Sequence, residues 1–162
     1  MVGQSQQGLW IICLSFLVAF VFAVIALPQW LLWVRPEWPA LVLIYWTIAL
    51  PHRVGLLTGL CVGVALDAIE GSVFGQNAFS LMVVALLSLV LYQRLRVFNV
   101  LQQAGTVFLL IGINQLIGQW VQNLQGRGTQ SLLFLLPAFS SMLMWPVVLQ
   151  ILRSVRRKYR LA

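Results

Sequence analysis

Along this chain, apolar runs alternate with short polar breaks, and the length of each run limits what it can be. The first run, 9–27, is long enough at 1.5 Å rise per residue to cross a hydrocarbon core of ~30 Å. It has no basic segment ahead of it and no small-residue cleavage site leading into more soluble sequence. It therefore reads as a retained membrane helix and not a removed signal. Trp30, Trp33 and Trp38 then cluster among Pro28, Pro36 and Pro39, as in an interfacial aromatic belt on a loop or surface turn.

The next apolar stretch, 38–50, is short, and Pro51-His52-Arg53 separates it from a second run at 54–69. Merging the two would place Arg53 near mid-membrane, at a cost of at least ~2.5 kcal/mol. Two short helices joined by a tight turn avoid that cost. A loop from Glu70 to Gln76 leads to a helix at 78–92, whose end is marked by Arg94 and Arg96. A span at 101–121 runs out into the polar stretch 122–130. The last span, 132–152, has Pro137 near its start and Pro146 inside it, where a missing backbone hydrogen bond predicts a kink. With no repeat, linker or low-complexity segment, 1–162 reads as one polytopic domain. The predicted class is an all-α membrane protein of about six transmembrane helices.

Composition agrees with this pattern. Only 8% of the 162 residues are charged and 61% are hydrophobic, against about 25% charged in an ordinary soluble domain. So few charges could not cover a water-facing surface. The net charge of +7 raises nucleic acid as a ligand, but its placement argues for a membrane surface. Arg153, Arg156, Arg157, Lys158 and Arg160 follow the last apolar run directly, where they would anchor on anionic lipid headgroups. With that tail in the cytoplasm, six spans put Arg53, Arg94 and Arg96 on the same side. Eight of the ten basic side chains then lie inside, leaving Arg35 and Arg127 outside. The positive-inside rule, which played no part in drawing the spans, therefore supports cytoplasmic N- and C-termini.

Few residues offer chemistry. Gly55, Gly59, Gly63, Asp67, Gly71 and Gly75 recur every four positions, which on a helix keeps them close to one face. The glycines would form a groove for a close helix, either internal or from another chain. Asp67, the one acid inside a predicted span, reads equally as a cap before the Gly71 loop or as a polar contact with a partner. Arg35-Pro36-Glu37-Trp38 would cap the outer end of the second span, with Glu37 near its helix N-terminus. Asn114, Gln115, Gln119 and Gln122 set amides along the fifth span, suited to interhelical hydrogen bonds. Cys13 and Cys61 lie within apolar runs and read as packing residues, and His52 stands in a turn. No nucleophile–base pair, metal-ligand cluster or phosphate-binding loop is present, so no enzyme, metal or cofactor is expected.

Several of these blocks carry a family likeness. Arg35-Pro36-Glu37-Trp38, then Tyr45-Trp46 and Ala49-Leu50-Pro51-His52-Arg53-Val54, resemble the rod-shape-determining MreD family. The four-residue row from Gly55 to Gly75, the Leu143-Met144-Trp145-Pro146 step and the basic tail do so too. The resemblance implies a multi-pass protein of the bacterial inner membrane. Its fold would be similar to the six-helix substrate-binding component of energy-coupling-factor transporters. It also implies direct binding to MreC, with MreB, RodA and penicillin-binding protein 2 in a wider elongation complex, and no catalytic residues. Anionic lipids and a homo-oligomer complete the expected partners. Two readings follow: a scaffold that engages another membrane chain, or a transporter component with an internal cavity lined by Trp46, Asn114 and Gln115.

Overall fold

The computed structural model describes residues 2–71, 74–128 and 131–160. Residues 72–73 of the 70–76 loop, 129–130 of the polar stretch and the last two residues lie outside the described residues. Among those described there are helices and turns and no strand. The order is α1 (Val2–Val24), a single turn α2 (Gln29–Leu32), α3 (Trp38–Ala49), α4 (Leu56–Glu70), α5 (Gln76–Val97), α6 (Val100–Leu124), a 3₁₀ turn (Leu132–Leu135) and α7 (Leu136–Lys158). Four stretches are long and apolar enough to cross a membrane: Gln6–Val24, Gln76–Val97, Val100–Leu124 and Leu132–Lys158. The molecule is a multi-pass helical membrane protein.

The bundle is organised around its shortest principal helix. Every residue of α3 from Pro39 to Ala49 is buried, with Leu41, Leu43, Ile44, Trp46 and Thr47 wholly so. A helix apolar on all sides belongs in an interior, and α1, α4, α5, α6 and α7 all pack against this one. At about 18 Å, α3 could not cross a hydrocarbon core unaided. Enclosed by neighbours, it meets protein and not lipid, so its length is no obstacle. Pro39 starts it with a preset φ. The Pro51–Gly55 turn then separates it from α4 and leaves Arg53 exposed.

Boundaries differ from the apolar runs in informative ways. Helix α1 begins at Val2, ahead of the run that starts at Leu9, and α5 continues to Val97, so Arg94 and Arg96 sit in its last turn. Cations there face the negative end of the helix dipole. Helix α7 likewise carries the basic tail to Lys158, and it continues through Pro146 as one helix. Helix α6 opens with a reciprocal cap: Asn99 Oδ1 accepts from the Gln102 N–H at 2.9 Å, and Gln102 Oε1 accepts from the Asn99 N–H at 3.3 Å. Cys13 and Cys61, read as packing residues within apolar runs, lie exposed on the outer faces of α1 and α4.

The helix ends segregate. One end of the bundle gathers the C-termini of α3, α5 and α7 with the start of α6, around Leu50, Arg96, Gln103 and Arg153. The other gathers the end of α1, the start of α3, the end of α4 and the start of α7, around Ala23, Glu37, Glu70 and Pro137.

Candidate functional site

The four-residue row on α4 lies against α5, the most extensive helix pairing in the molecule. At Gly63, a Cβ would stand 2.5 Å from the Asn77 carbonyl oxygen and 2.6 Å from the Ala78 nitrogen. At Gly59 it would stand 2.9 Å from the Leu81 carbonyl oxygen and 3.0 Å from the Ala85 Cβ. Gly55, half-buried ahead of the helix, would meet only the Leu89 side chain at an ordinary 3.5 Å. The helix in the groove is therefore α5 of the same chain. Backbone packs on backbone there because two glycines remove the side chains between them.

One step along the row, Asp67 is 2% exposed. Its carboxylate accepts from the backbone N–H groups of Gly75 and Asn77, both at 2.9 Å, and of Ala78 at 3.3 Å. These are among the amides at the start of α5 that have no partner within the helix. An anion there also meets the positive end of the dipole. Asp67 thus serves α5 as a cap supplied from α4. Gly71 (φ 65°) ends α4 and Gly75 (φ 98°) precedes α5, and both adopt the left-handed backbone that glycine accepts without penalty.

The opposite edge of the same end is braced by Glu37. Its backbone N–H donates to Ser141 Oγ on α7 at 2.9 Å, and its carboxyl accepts from Gln115 Nε2 on α6 at 2.7 Å. One residue thereby ties the start of α3 to two other helices. Burial of this carboxyl raises its pKa to about 7, reinforced by the charge of Glu70 and opposed by the Gln115 hydrogen bond and Arg35. Arg35, Glu37 and Glu70 share a small cavity of about 160 Å³. Trp38, half-buried, packs its ring on Phe22 of α1 at 5.3 Å between centroids.

A sequence model of the family described as rod shape-determining protein MreD matches residues 4–155. The chain belongs to the MreD family. It is 32% identical over 153 residues to the Rod shape-determining protein MreD of Haemophilus influenzae, covering 94% of this chain and 94% of that protein. No solved structure matches it. A role in rod-shape determination follows from the family, whose members are shape-determining proteins of a structural kind.

Within this MreD-family chain, α3 is cross-tied along its length. The Trp46 indole N–H donates to Ser15 Oγ on α1 at 2.8 Å. At the C-terminus of α3, Arg96 of α5 donates from Nε to the Ile48 carbonyl at 2.9 Å and from a terminal nitrogen to the Ala49 carbonyl at 3.1 Å. Those carbonyls are orphaned by the end of the helix. Gln103 of α6 donates to the Leu95 carbonyl at 2.7 Å and accepts from the Trp145 indole of α7 at 3.4 Å. Asn114 is buried on α6, whereas Gln122 is exposed.

The basic tail divides. Arg156 is half-buried, and Arg153, Arg157, Lys158 and Arg160 are exposed. The partners Ser15, Ser141 and Gln103 were not singled out from the sequence. Each is a polar residue inside an apolar run, which is a signal for an interhelical bond, but the run does not say which helix receives it.

Proposed function

We propose that this MreD-family chain is a non-catalytic scaffold of the cell-elongation machinery. It would sit as one polytopic domain in the bacterial inner membrane with both termini in the cytoplasm, bind MreC directly, and so support MreB-guided peptidoglycan synthesis by RodA and penicillin-binding protein 2. One observation carries the reading beyond the family: several polar side chains within the bundle join one helix to another. Asp67 joins α4 to α5, Glu37 joins α3 to α6 and α7, Trp46 joins α3 to α1, and Gln103 joins α6 to α7. Such bonds contribute about 0.6 to 2 kcal/mol each in a membrane. Together they favour a body of fixed shape, as a docking platform requires. Two of the three residues considered for a transport cavity are drawn into the same bracing: Trp46 is wholly buried against Ser15, and Gln115 is bonded to Glu37, while the Asn114 side-chain carbonyl oxygen is buried without a partner among the described residues.

The test is gentle detergent extraction of the tagged chain from native membranes of a rod-shaped bacterium, followed by identification of what remains bound. Recovery of MreC in stoichiometric amount, together with rounding of cells on depletion of the chain, is the expected result. A tightly held small metabolite with no MreC would overturn the scaffold and restore the transporter component.

A further inference from the structure

Arg96, Arg153 and Arg156 line a cavity of about 440 Å³ at the basic end of the bundle, with Tyr45, Gln103 and Trp145 among its other walls. No acidic side chain faces them. The chain has only three acids, and Glu37, Asp67 and Glu70 are all committed to the opposite end. Three cations round one recess repel each other.

Tyr45 forms part of the wall of the same cavity, with its hydroxyl enclosed behind that wall. Tyr45 is 4% exposed, and its hydroxyl is buried with no hydrogen-bond partner among the described residues. A buried hydroxyl without a partner is costly, and natural structures rarely keep one without a reason. The remaining polar wall is already occupied, because the Gln103 amide is bonded on both sides, to Leu95 and Trp145. Arg96 is fixed by its two bonds to the α3 carbonyls and by the Tyr92 ring beneath it, at 5.3 Å. A guanidinium has five N–H donors, so two bonds hold it in position with donors remaining for a ligand.

We propose that this cavity binds a phosphate ester: the Arg96, Arg153 and Arg156 guanidinium groups pair with its oxygens, and the wall shifts so that the enclosed Tyr45 hydroxyl donates a further hydrogen bond. Guanidinium forks match phosphate oxygens in geometry as well as charge. The ester is carried either by the headgroup of an anionic lipid or by a soluble phosphate compound. This site is distinct from the diffuse attraction of a basic tail, because it needs Tyr45 and Arg96, which lie outside the tail. It is also independent of whether MreC binds.

The experiment uses the full chain in detergent at fixed salt, titrated with dioctanoyl phosphatidic acid, dioctanoylglycerol or glycerol 3-phosphate and read by native mass spectrometry. Saturable one-to-one binding of phosphatidic acid with none of dioctanoylglycerol is expected. Equal binding of glycerol 3-phosphate assigns the soluble ester, and much weaker binding assigns the lipid headgroup. Tyr45→Phe removes only a hydroxyl that has no partner among the described residues, so it should fold as the parent does and bind roughly tenfold more weakly. Arg153→Gln with Arg156→Gln should weaken binding further. Arg157→Gln with Lys158→Gln, an equal loss of charge at positions outside the cavity wall, should stay within about twofold of the parent. Equal weakening by both double variants, with Tyr45→Phe unchanged, would show diffuse electrostatics and sink the proposal. Displacement of phosphatidic acid by an acidic peptide at lower concentration than by either phosphate compound would sink it too, assigning the cavity to a protein segment.

Discussion

Gly63 of α4 lies directly on the backbone of Ala78 in α5, so near that a methyl group at position 63 would stand 2.6 Å from the Ala78 nitrogen. Backbone cannot swing aside as a side chain does. Gly63→Ala should therefore lower stability by about 1–3 kcal/mol as the two helices are forced apart. Gly55→Ala, with only a flexible leucine at 3.5 Å, should change it by no more than about 0.5 kcal/mol. Thermal unfolding in detergent reads both, and equal midpoints for the two variants would mean that the row does not set the α4–α5 distance.

Asp67→Asn keeps the size of the side chain but replaces one acceptor oxygen with an amino group facing N–H donors at the start of α5. Loss of charge-assisted bonds to buried amides should cost about 1–3 kcal/mol. The amides of Gly75 and Asn77 should also exchange hydrogen faster. Unchanged protection at those two amides would remove Asp67 from the role of cap.

The raised pKa of Glu37 gives stability a pH dependence of definite sign. The unfolded chain releases this proton near 4.5, whereas the folded chain holds it until about 7. The folded state thus binds the extra proton between those values, and stability falls as pH rises through that window. The unfolding midpoint should drop from 4.5 to about 7 and then level off. Glu37→Gln, which can still bond to Gln115, should flatten that part of the curve. A variant as steep as the parent would place the titrating group elsewhere.

Arg96→Lys retains a charge but loses the planar fork that spans the Ile48 and Ala49 carbonyls. A loss of about 1–2 kcal/mol in thermal stability is expected, since one of the two carbonyls is left without its donor. A lysine variant as stable as the parent would show that these bonds fix the position of Arg96 without holding α3.

Sidedness is open to direct labelling. In a chain carrying Cys13→Ser and Cys61→Ser, a cysteine at exposed Gln125 should react with an impermeant reagent from outside the cell. One at exposed Gln93 should react only after the membrane is opened. The reverse pattern would invert the assignment of the basic end to the cytoplasm.

Much of this architecture is legible in the linear chain because the bilayer is a severe solvent. Long apolar runs must become helices to satisfy their backbone, which is why α1, α5, α6 and α7 announce themselves. Arg53, too costly to bury in lipid, divides α3 from α4 for the same reason. Position-by-position spacing also places Gly59, Gly63 and Asp67 on one face, since helical periodicity is a local property. What fills that face is not local. Only the tertiary structure puts α5 against the glycines and its first amides on Asp67, and only there does α3, too short to cross the membrane alone, become the enclosed centre of the bundle. The same holds for Tyr45 and Arg96. Far apart in sequence, they share a cavity because the ends of α3, α5 and α7 meet at one level, which depends on how the helices pack and not on the composition of any one of them.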